Sequence, residues 1–182
     1  MLVFRKAETE EELHGILELQ SRFLKGSHTK DVEAEQGFVT LKHDFELLHQ
    51  MNVADGHIIG LDGNRVIAYA LTMSPKFSDK IPGLFPMFRI VDELKEKGDR
   101  HFNNYLMMGQ ICVDYHYRGQ GVFRSLYEQF KMTYAGKYDF CLTLVSCLNT
   151  RSMAAHKHIG FTNLYTLDEA GAEAWELVIW EW

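Results

Sequence analysis

The segment Arg-Gly-Gln-Gly-Val at residues 118–122 is the part of this chain best suited to bind an anion. It follows a strand-like run at 105–114 and precedes a helix-like run at 122–135. The first backbone N–H groups of a helix have no partner within the helix, and the helix dipole places partial positive charge beside them. Glycine allows the positive φ angles that let a phosphate come close to such a turn. We therefore predict a phosphate-bearing ligand here, held by the N–H groups of residues 120–124, with Arg118 adding charge.

The glycine turn by itself also fits a plain connection between a strand and a helix, because glycine is the usual residue wherever a turn needs positive φ. Spacing disfavours two other phosphate-binding motifs. A Walker loop needs Gly-Lys followed by Ser or Thr, and this sequence does not follow here. The Rossmann fingerprint needs a third glycine after two further residues and an early βαβ unit. The glycine turn alone therefore does not identify the ligand, and the neighbouring segments of the sequence are needed for that.

Three segments together resemble the GNAT superfamily of acyl-CoA-dependent N-acetyltransferases. They are the strand-like run that ends in Gln-Ile-Cys-Val-Asp at 110–114, the glycine turn, and the run from Asn149 to Phe161. The family's phosphate-binding pattern is Gln or Arg, two residues, Gly, one residue, then Gly or Ala. Arg118 and Gly121 match its first and fourth positions. Phe123 occupies the sixth position, where the family usually has a small residue, and this departure affects how closely a cofactor approaches the first helical turn.

The resemblance implies that acetyl-CoA binds as a co-substrate. The residues implied to contact it are Ile111, Val113, Arg118, Gly119, Gln120, Gly121, Val122, Phe123, Arg124 and Asn149. Ile111 and Val113 would pair through their backbone with the pantetheine arm, and the Val113 N–H would stabilise the oxyanion of a tetrahedral intermediate. Plain strand core is the alternative for both, and it is compatible with backbone contacts. Asn149 would bond the pantetheine amides, or would act as a helix N-cap or turn residue.

The resemblance also places His156 where the family commonly has a tyrosine that protonates the departing CoA thiolate. An imidazole that titrates near neutrality suits this work, because a thiol has a pKa of about 8.5. A solvated helix histidine is the alternative interpretation. Tyr115, Tyr117 and Tyr165 are rival proton donors.

Asp114 is the candidate general base, because it directly follows the strand implied to be active and an amine must lose a proton before it attacks. A strand-end carboxylate that meets solvent is the alternative. Other candidates for this role are His116, Glu33, Glu35 and Asp44. Cys112 has the chemistry to carry an acyl group, but nothing in the sequence indicates a lowered thiol pKa. We therefore favour direct transfer from the thioester to the amine.

The elements that position these residues follow from hydrophobic periodicity and turn chemistry. Strands are predicted at 2–7, 57–61, 66–73, 105–114, 140–148, 161–167 and 175–182, and helices at 9–26, 41–51, 87–97, 122–135 and 152–158. The polar stretch at 27–39 has no clear pattern. Residues 74–104 hold all three prolines and form a predicted insertion or lid. This order predicts a mixed α/β fold in one domain over 1–182. The family resemblance implies the GNAT fold, with a mostly antiparallel mixed sheet of about seven strands flanked by helices.

Composition narrows the remaining possibilities. The net charge of −6 argues against a nucleic-acid partner, and no apolar run approaches the length of a membrane span. The start of the chain lacks the features of a secretion signal, so we expect a cytoplasmic protein. The cysteines show no metal-ligand spacing, so we expect buried reduced thiols and no metal.

The family resemblance implies an N-acetyltransferase that transfers an acetyl group from acetyl-CoA to a primary amine. A longer-chain N-acyltransferase and a non-catalytic acyl-CoA-binding or sensor module are the alternatives. The acceptor, a small molecule or a peptide, is not predicted. The aromatic C-terminal strand suggests a possible homodimer through an exposed edge.

Overall fold

A seven-stranded sheet lies at the centre of the computed structural model, which describes residues 1–98, 102–168 and 172–182. The strands are β1 (Leu2–Lys6), β2 (Ile58–Asp62), β3 (Arg65–Met73), β4 (Tyr105–Val113), β5 (Phe140–Ser146), β6 (Thr162–Leu167) and β7 (Trp175–Glu181). Their order across the sheet is β1-β2-β3-β4-β5-β7-β6. The β4–β5 pair is parallel and the other neighbouring pairs are antiparallel. The predicted fold class is confirmed.

Helices cover both faces of this sheet. They are α1 (Glu10–Phe23), α2 (Lys30–Gln36), α3 (Phe45–Asp55), α4 (Phe85–Lys97), α5 (Val122–Tyr134) and α6 (Thr150–Ile159). Buried residues of α1, α3 and α4 pack on one face, and the apolar side of α5 packs on the other. None of the described helices has the length and apolar content that crossing a bilayer requires.

Capping residues explain where the first helices begin and end. Thr9 and Glu12 form the predicted capping box of α1, although the helix ends at Phe23 rather than near Gly26. The helix predicted at 41–51 begins only at Phe45, because the Asp44 side chain caps it by accepting from the Leu47 N–H at 2.8 Å. The polar stretch at 27–39, for which no element was predicted, contains α2.

The predicted insertion at 74–104 is part of the hydrophobic core. Its side chains at Phe77, Met87 and Val91 are buried against Leu142 of β5 and Ile179 of β7. The helix within it, α4, starts two residues before the predicted start and ends at Lys97 as predicted, with Gly98 as its C-cap at a φ of +72°. Residues 99–101 of the predicted insertion lie outside the described residues.

The parallel strands β4 and β5 pair over only part of their length and then separate, which leaves a gap between them. Pairing runs from Tyr105↔Phe140 to Met107↔Leu142, whereas β4 continues to pair with β3 as far as Val113. The Thr143 hydroxyl donates to the Met108 carbonyl at 2.8 Å where the strands part. The backbone of β4 beyond this point therefore faces a V-shaped gap.

Candidate functional site

A cavity of about 520 Å³, here called the first cavity, lies between the end of β4, the glycine turn, the start of α5 and α6. It brings together nine of the ten residues predicted to bind the cofactor: Ile111, Val113, Arg118, Gly119, Gly121, Val122, Phe123, Arg124 and Asn149. The tenth, Gln120, is exposed and donates from its side-chain amide to the His116 carbonyl at 2.7 Å.

The glycine turn has the backbone geometry that an anion site needs. Gly119 has a φ of +72° and Gly121 a φ of +80°, and a Cβ added to either would meet no atom within 4 Å. Helix α5 begins directly after them, and the Ser125 N–H donates to the Gly121 carbonyl at 2.9 Å. The N–H groups of residues 122–124 therefore precede the first helical hydrogen bond and point toward the turn.

The end of β4 offers further backbone donors. The Asp114 N–H donates to the Ile67 carbonyl on β3 at 2.9 Å. Because backbone groups alternate sides along a strand, the N–H groups of Val113 and Ile111 face the gap. These are the two positions at which the sequence predicted backbone contacts.

Three arginines make the first cavity locally positive in a chain of net charge −6: Arg118, Arg124 and Arg151. The described residues that line the cavity include no carboxylate. Arg151 was not predicted as a site residue, although its place two residues after Asn149 was a usable signal. An anion of diphosphate type matches this charge.

Arg118 acts as a brace within this wall. Its Nε donates to the Val113 carbonyl at 2.9 Å and its Nη1 to the Gln36 carbonyl at 2.6 Å, while the guanidinium lies over the Tyr115 and Phe23 rings at 4.5 and 4.9 Å. Burial lowers the pKa of this guanidinium. Because Nε and Nη1 both bind protein carbonyl groups, the main effect of Arg118 is to hold together the segments that line the cavity.

The segment Gln36–Leu41, here called the strap, closes one side of the gap and was not predicted. The Phe38 carbonyl accepts from the Asn149 side chain at 2.9 Å, and the Leu41 carbonyl accepts from Gln110 at 2.8 Å. Together with the Arg118 bond, these contacts tie the strap to β4 itself and to residues that follow β4 and β5. The strap therefore bridges the two strands where the sheet itself does not.

Asn149 has the geometry of the N-cap alternative. Its Oδ1 accepts from the Ser152 N–H at 3.2 Å, at the start of α6, while its Nδ2 donates to the strap. A Cβ on Gly37 would lie 2.9 Å from the same Oδ1, so the strap passes directly over this side chain. Both ends of the Asn149 amide are engaged within the protein.

His156 lies under the cavity wall and does not line the cavity. This residue is 3% exposed, and its ring meets the rings of Phe123, Tyr127 and Phe161 edge-on at centroid distances of 5.2–5.6 Å. Nδ1 lies 2.8 Å from the Ser152 carbonyl, which only accepts, so Nδ1 carries the hydrogen and the buried Nε2 has no partner. Burial lowers the pKa of this imidazole to about 4.

The two departures from the family pattern touch each other. The Phe123 ring lines the first cavity and meets the His156 ring at 5.3 Å and 88°. The large side chain at the sixth motif position thus separates the imidazole from the cavity. Both departures are visible in the sequence, but no local pattern indicates that the two side chains contact each other.

Asp114 is buried in an ion-pair cluster outside the first cavity. Its Oδ2 lies 2.9 Å from Arg22 and 2.8 Å from Arg65, and its Oδ1 accepts from the His116 N–H at 3.2 Å. Burial opposes ionisation, but the His116 N–H and the arginines outweigh it and keep the pKa of Asp114 below its usual value. This geometry suits a structural carboxylate.

The remaining candidates have identifiable surroundings. Cys112 lines the first cavity, but burial raises the pKa of its thiol to about 12, so it holds its proton. Tyr117 also lines the cavity and donates to Asp62 at 2.7 Å. Glu33 accepts from the Gly26 N–H, and Asp44 caps α3.

Four further candidates do not line the first cavity. Tyr115 has a buried hydroxyl without a partner, whereas Tyr165, Glu35 and His116 are exposed. Among the described residues, no three His, Cys, Asp or Glu side chains gather as a metal site.

Comparison with known proteins identifies the fold. No family model and no curated protein matches the sequence. The ribosomal-protein-S18-alanine N-acetyltransferase of Escherichia coli is similar at a TM-score of 0.65 and 13% identity, over 100% of this chain and 94% of that chain. A GNAT-family acetyltransferase of Streptococcus pneumoniae gives 0.66 and 12%, over 100% and 99%. A chain of the NatC complex bound to Gag peptide and CoA gives 0.66 and 13%, over 100% and 98%. The fold expected from the family resemblance is confirmed.

Proposed function

We propose that this chain, whose fold is that of the GNAT acetyltransferases, transfers an acetyl group from acetyl-CoA to a primary amine. The observation that carries the proposal is the first cavity, where unpaired helix N–H groups and three arginines meet the unpaired edge of β4. A long ligand with a diphosphate at one end and amide groups along its arm fits this arrangement. Coenzyme A has that chemistry and supplies an acyl thioester.

The residues of the site divide the work between them. The N–H groups of residues 122–124 hold the diphosphate, with Arg124 and Arg151 adding charge. The Ile111 and Val113 backbone aligns the arm along β4, and the Val113 N–H stabilises the oxygen on which negative charge develops as the amine adds. Arg118 and Asn149 position the strap.

Catalysis in this proposal comes from orientation and oxyanion stabilisation. A thiol with a pKa of about 8.5 leaves as its thiolate near neutral pH without a dedicated acid, and the proton that the attacking nitrogen loses passes to water. We therefore assign no proton transfer to His156, which is neutral and buried, or to Asp114, which is held by two arginines. The NatC neighbour, solved with a peptide and CoA, supports a peptide or small-molecule amine as the acceptor class.

A second candidate is a module that binds acyl-CoA without turning it over. The placement of His156 and Asp114 favours this candidate, because neither side chain lines the first cavity. Thiol release measured across a broad set of amines separates the two. Binding of coenzyme A with no release above the uncatalysed rate favours the module.

Gly121→Asp tests the placement of the cofactor. The site has room for the side chain, but the added carboxylate faces the position of the diphosphate, so the affinity for coenzyme A is expected to fall by about a hundredfold or more. Titration calorimetry measures this affinity, and circular dichroism checks the fold.

Gly63→Asp is the matched control. Gly63 lies in the β2–β3 turn with a φ of +58°, and a Cβ there also meets nothing within 4 Å. The substitution adds the same charge and the same backbone strain away from the cavity. If both variants bind coenzyme A as the unchanged protein does, the ligand does not occupy this turn and the proposal fails.

A further inference from the structure

A second, smaller cavity of about 200 Å³ lies beside the same gap. The side chains that give it its character are Leu84, Met87, Met107, Leu144, Leu167 and Trp175. On β4, residues 107–109 line this second cavity and residues 111–113 line the first. Residues 36–39 of the strap line the first cavity, and residues 40–41 line the second. The two cavities therefore share two walls.

The described lining of the second cavity carries no charged side chain. A charged group would lose its hydration there without gaining a partner, whereas an apolar group gains by leaving water. An apolar cavity of roughly 150 Å³ is enough to hold benzene. The second cavity therefore fits a branched aliphatic or aromatic group.

Part of the wall of the second cavity consists of side chains from the hydrophobic core. Met87 and Leu84, from the segment between β3 and β4, are buried and pack with Met107 in the same cluster. The β3–β4 register shifts between Leu71 and Thr72, and Gly109 is the β4 residue left over opposite them. Gly109 lines the second cavity at this bulge and has no side chain to occupy it, and a Cβ there would meet no atom closer than 3.7 Å.

We infer that the second cavity receives the apolar side group of the acceptor amine, an inference that rests on the proposed function. Transfer needs the amine at the point on β4 where the two cavities adjoin. Three arginines line the first cavity, and they repel an ammonium group that would approach through it. The second cavity, whose described lining carries no charge, offers the amine an approach without this repulsion, and that lining selects acceptors with an apolar group next to the amine.

A panel of amino-acid amides tests this selection with saturating acetyl-CoA. Glycinamide, leucinamide, phenylalaninamide and lysinamide share an α-amine and differ in the side group. Leucinamide and phenylalaninamide are expected to show kcat/KM values roughly ten- to one-hundredfold above glycinamide, the range for burying one such side chain. Lysinamide is expected to gain nothing over glycinamide.

Leu144→Glu tests the location. Leu144 is only partly buried, so the chain tolerates a carboxylate there, and the charge faces the cavity. The advantage of phenylalaninamide over glycinamide is expected to fall about tenfold or more, and lysinamide is expected to rise above glycinamide. Met132→Glu, at a position 79% exposed on α5, adds the same charge elsewhere and should leave the panel unchanged.

Each outcome bears on a separate claim. If all four amides react equally, the inference is wrong while acetyl transfer stands. With glycinamide as the acceptor, kcat/KM can also be compared between hexanoyl-CoA and acetyl-CoA. If hexanoyl-CoA gave the higher value and Leu144→Glu removed that difference, the second cavity would bind the acyl chain and the inference would be overturned. Calorimetric binding of coenzyme A without thiol release from any amine would reject the transferase and the inference together. A melting curve confirms that both variants are folded.

Discussion

Single residues in this chain show what motif spacing predicts and what it misses. The positive φ angles of Gly119 and Gly121 followed from the turn chemistry, and the structure confirms them. The surroundings of His156 did not follow, because its separation from the first cavity depends on the Phe123 ring, a contact between two helices that no local pattern encodes. The motif spacing predicted that His156 lies near the cofactor site, whereas the packing of neighbouring side chains determines how little of its imidazole is exposed.

His156→Phe tests the position of this imidazole. The ring is buried among aromatic side chains and its Nε2 has no partner, so phenylalanine keeps the packing and removes an unsatisfied atom. A general acid contributes about a hundredfold or more, whereas we expect kcat to change by less than about threefold.

Steady-state thiol release at several pH values gives both kcat and its pH profile. The profile of the variant should match that of the unchanged protein between pH 5.5 and 8. A hundredfold loss of kcat with normal affinity for coenzyme A would return His156 to the chemistry.

At the scale of elements, the least predictable segment has the most specific contacts. The stretch at 27–39 lacks apolar periodicity because tertiary hydrogen bonds, rather than an apolar face, hold the strap in place. The Val39 N–H donates to the Phe23 carbonyl and the Lys25 N–H to the Val39 carbonyl, at 2.9 and 2.8 Å. Such bonds join residues far apart in sequence and leave no local signature.

Asn149→Ser separates the two roles of this side chain. Serine keeps the N-cap of α6 but is too short to reach the Phe38 carbonyl. The loss of one hydrogen bond, worth about 1 kcal/mol, should speed hydrogen exchange of the Val39 amide by roughly fivefold.

Asp44→Ser makes the same kind of cap exchange on α3, where the Asp44 carboxylate bonds the Leu47 N–H. It should leave exchange at Val39 unchanged. Equal exchange rates in the Asn149 variant and the unchanged protein would show that this bond does not hold the strap.

At the scale of the whole molecule, periodicity and turn residues predicted the sheet and its element order, and the fold is confirmed. Three histidines inside this fold, His43, His57 and His156, were not predicted to be buried. Burial lowers the pKa of His57 to about 3 and those of the other two to about 4. The Thr72 N–H donates to Nδ1 of His57 at 3.0 Å, so the neutral ring donates from Nε2 to the Leu48 carbonyl.

These burials predict a loss of stability in mild acid. Below the ordinary histidine pKa of about 6.5, the unfolded chain binds protons that the folded chain excludes. The free energy of unfolding should therefore fall as the pH drops from 6.5 toward 4, with this contribution fully present above 6.5. Guanidinium unfolding at pH 7.5, 6.5, 5.5 and 4.5 measures the fall.

His57→Gln isolates one contribution, because glutamine offers a donor and an acceptor but does not titrate. The loss between pH 6.5 and 4.5 should shrink by about 2 kcal/mol, even if the variant is less stable at every pH. His49→Gln, at a partly exposed position on α3, should leave the fall unchanged. A fall of the same size in all three proteins would contradict this account.

The shared walls of the two cavities constrain how this protein can diverge. Residues 36–39 and 111–113 line the first cavity, and residues 40–41 and 107–109 line the second, so a mutation that shifts the backbone of the strap or of β4 moves walls of both cavities. The segment around Leu84 and Met87 borders the second cavity alone, and the glycine turn borders the first alone. Substitutions in residues 83–87 can therefore change which acceptor binds during evolution without changing the site proposed for the acetyl donor.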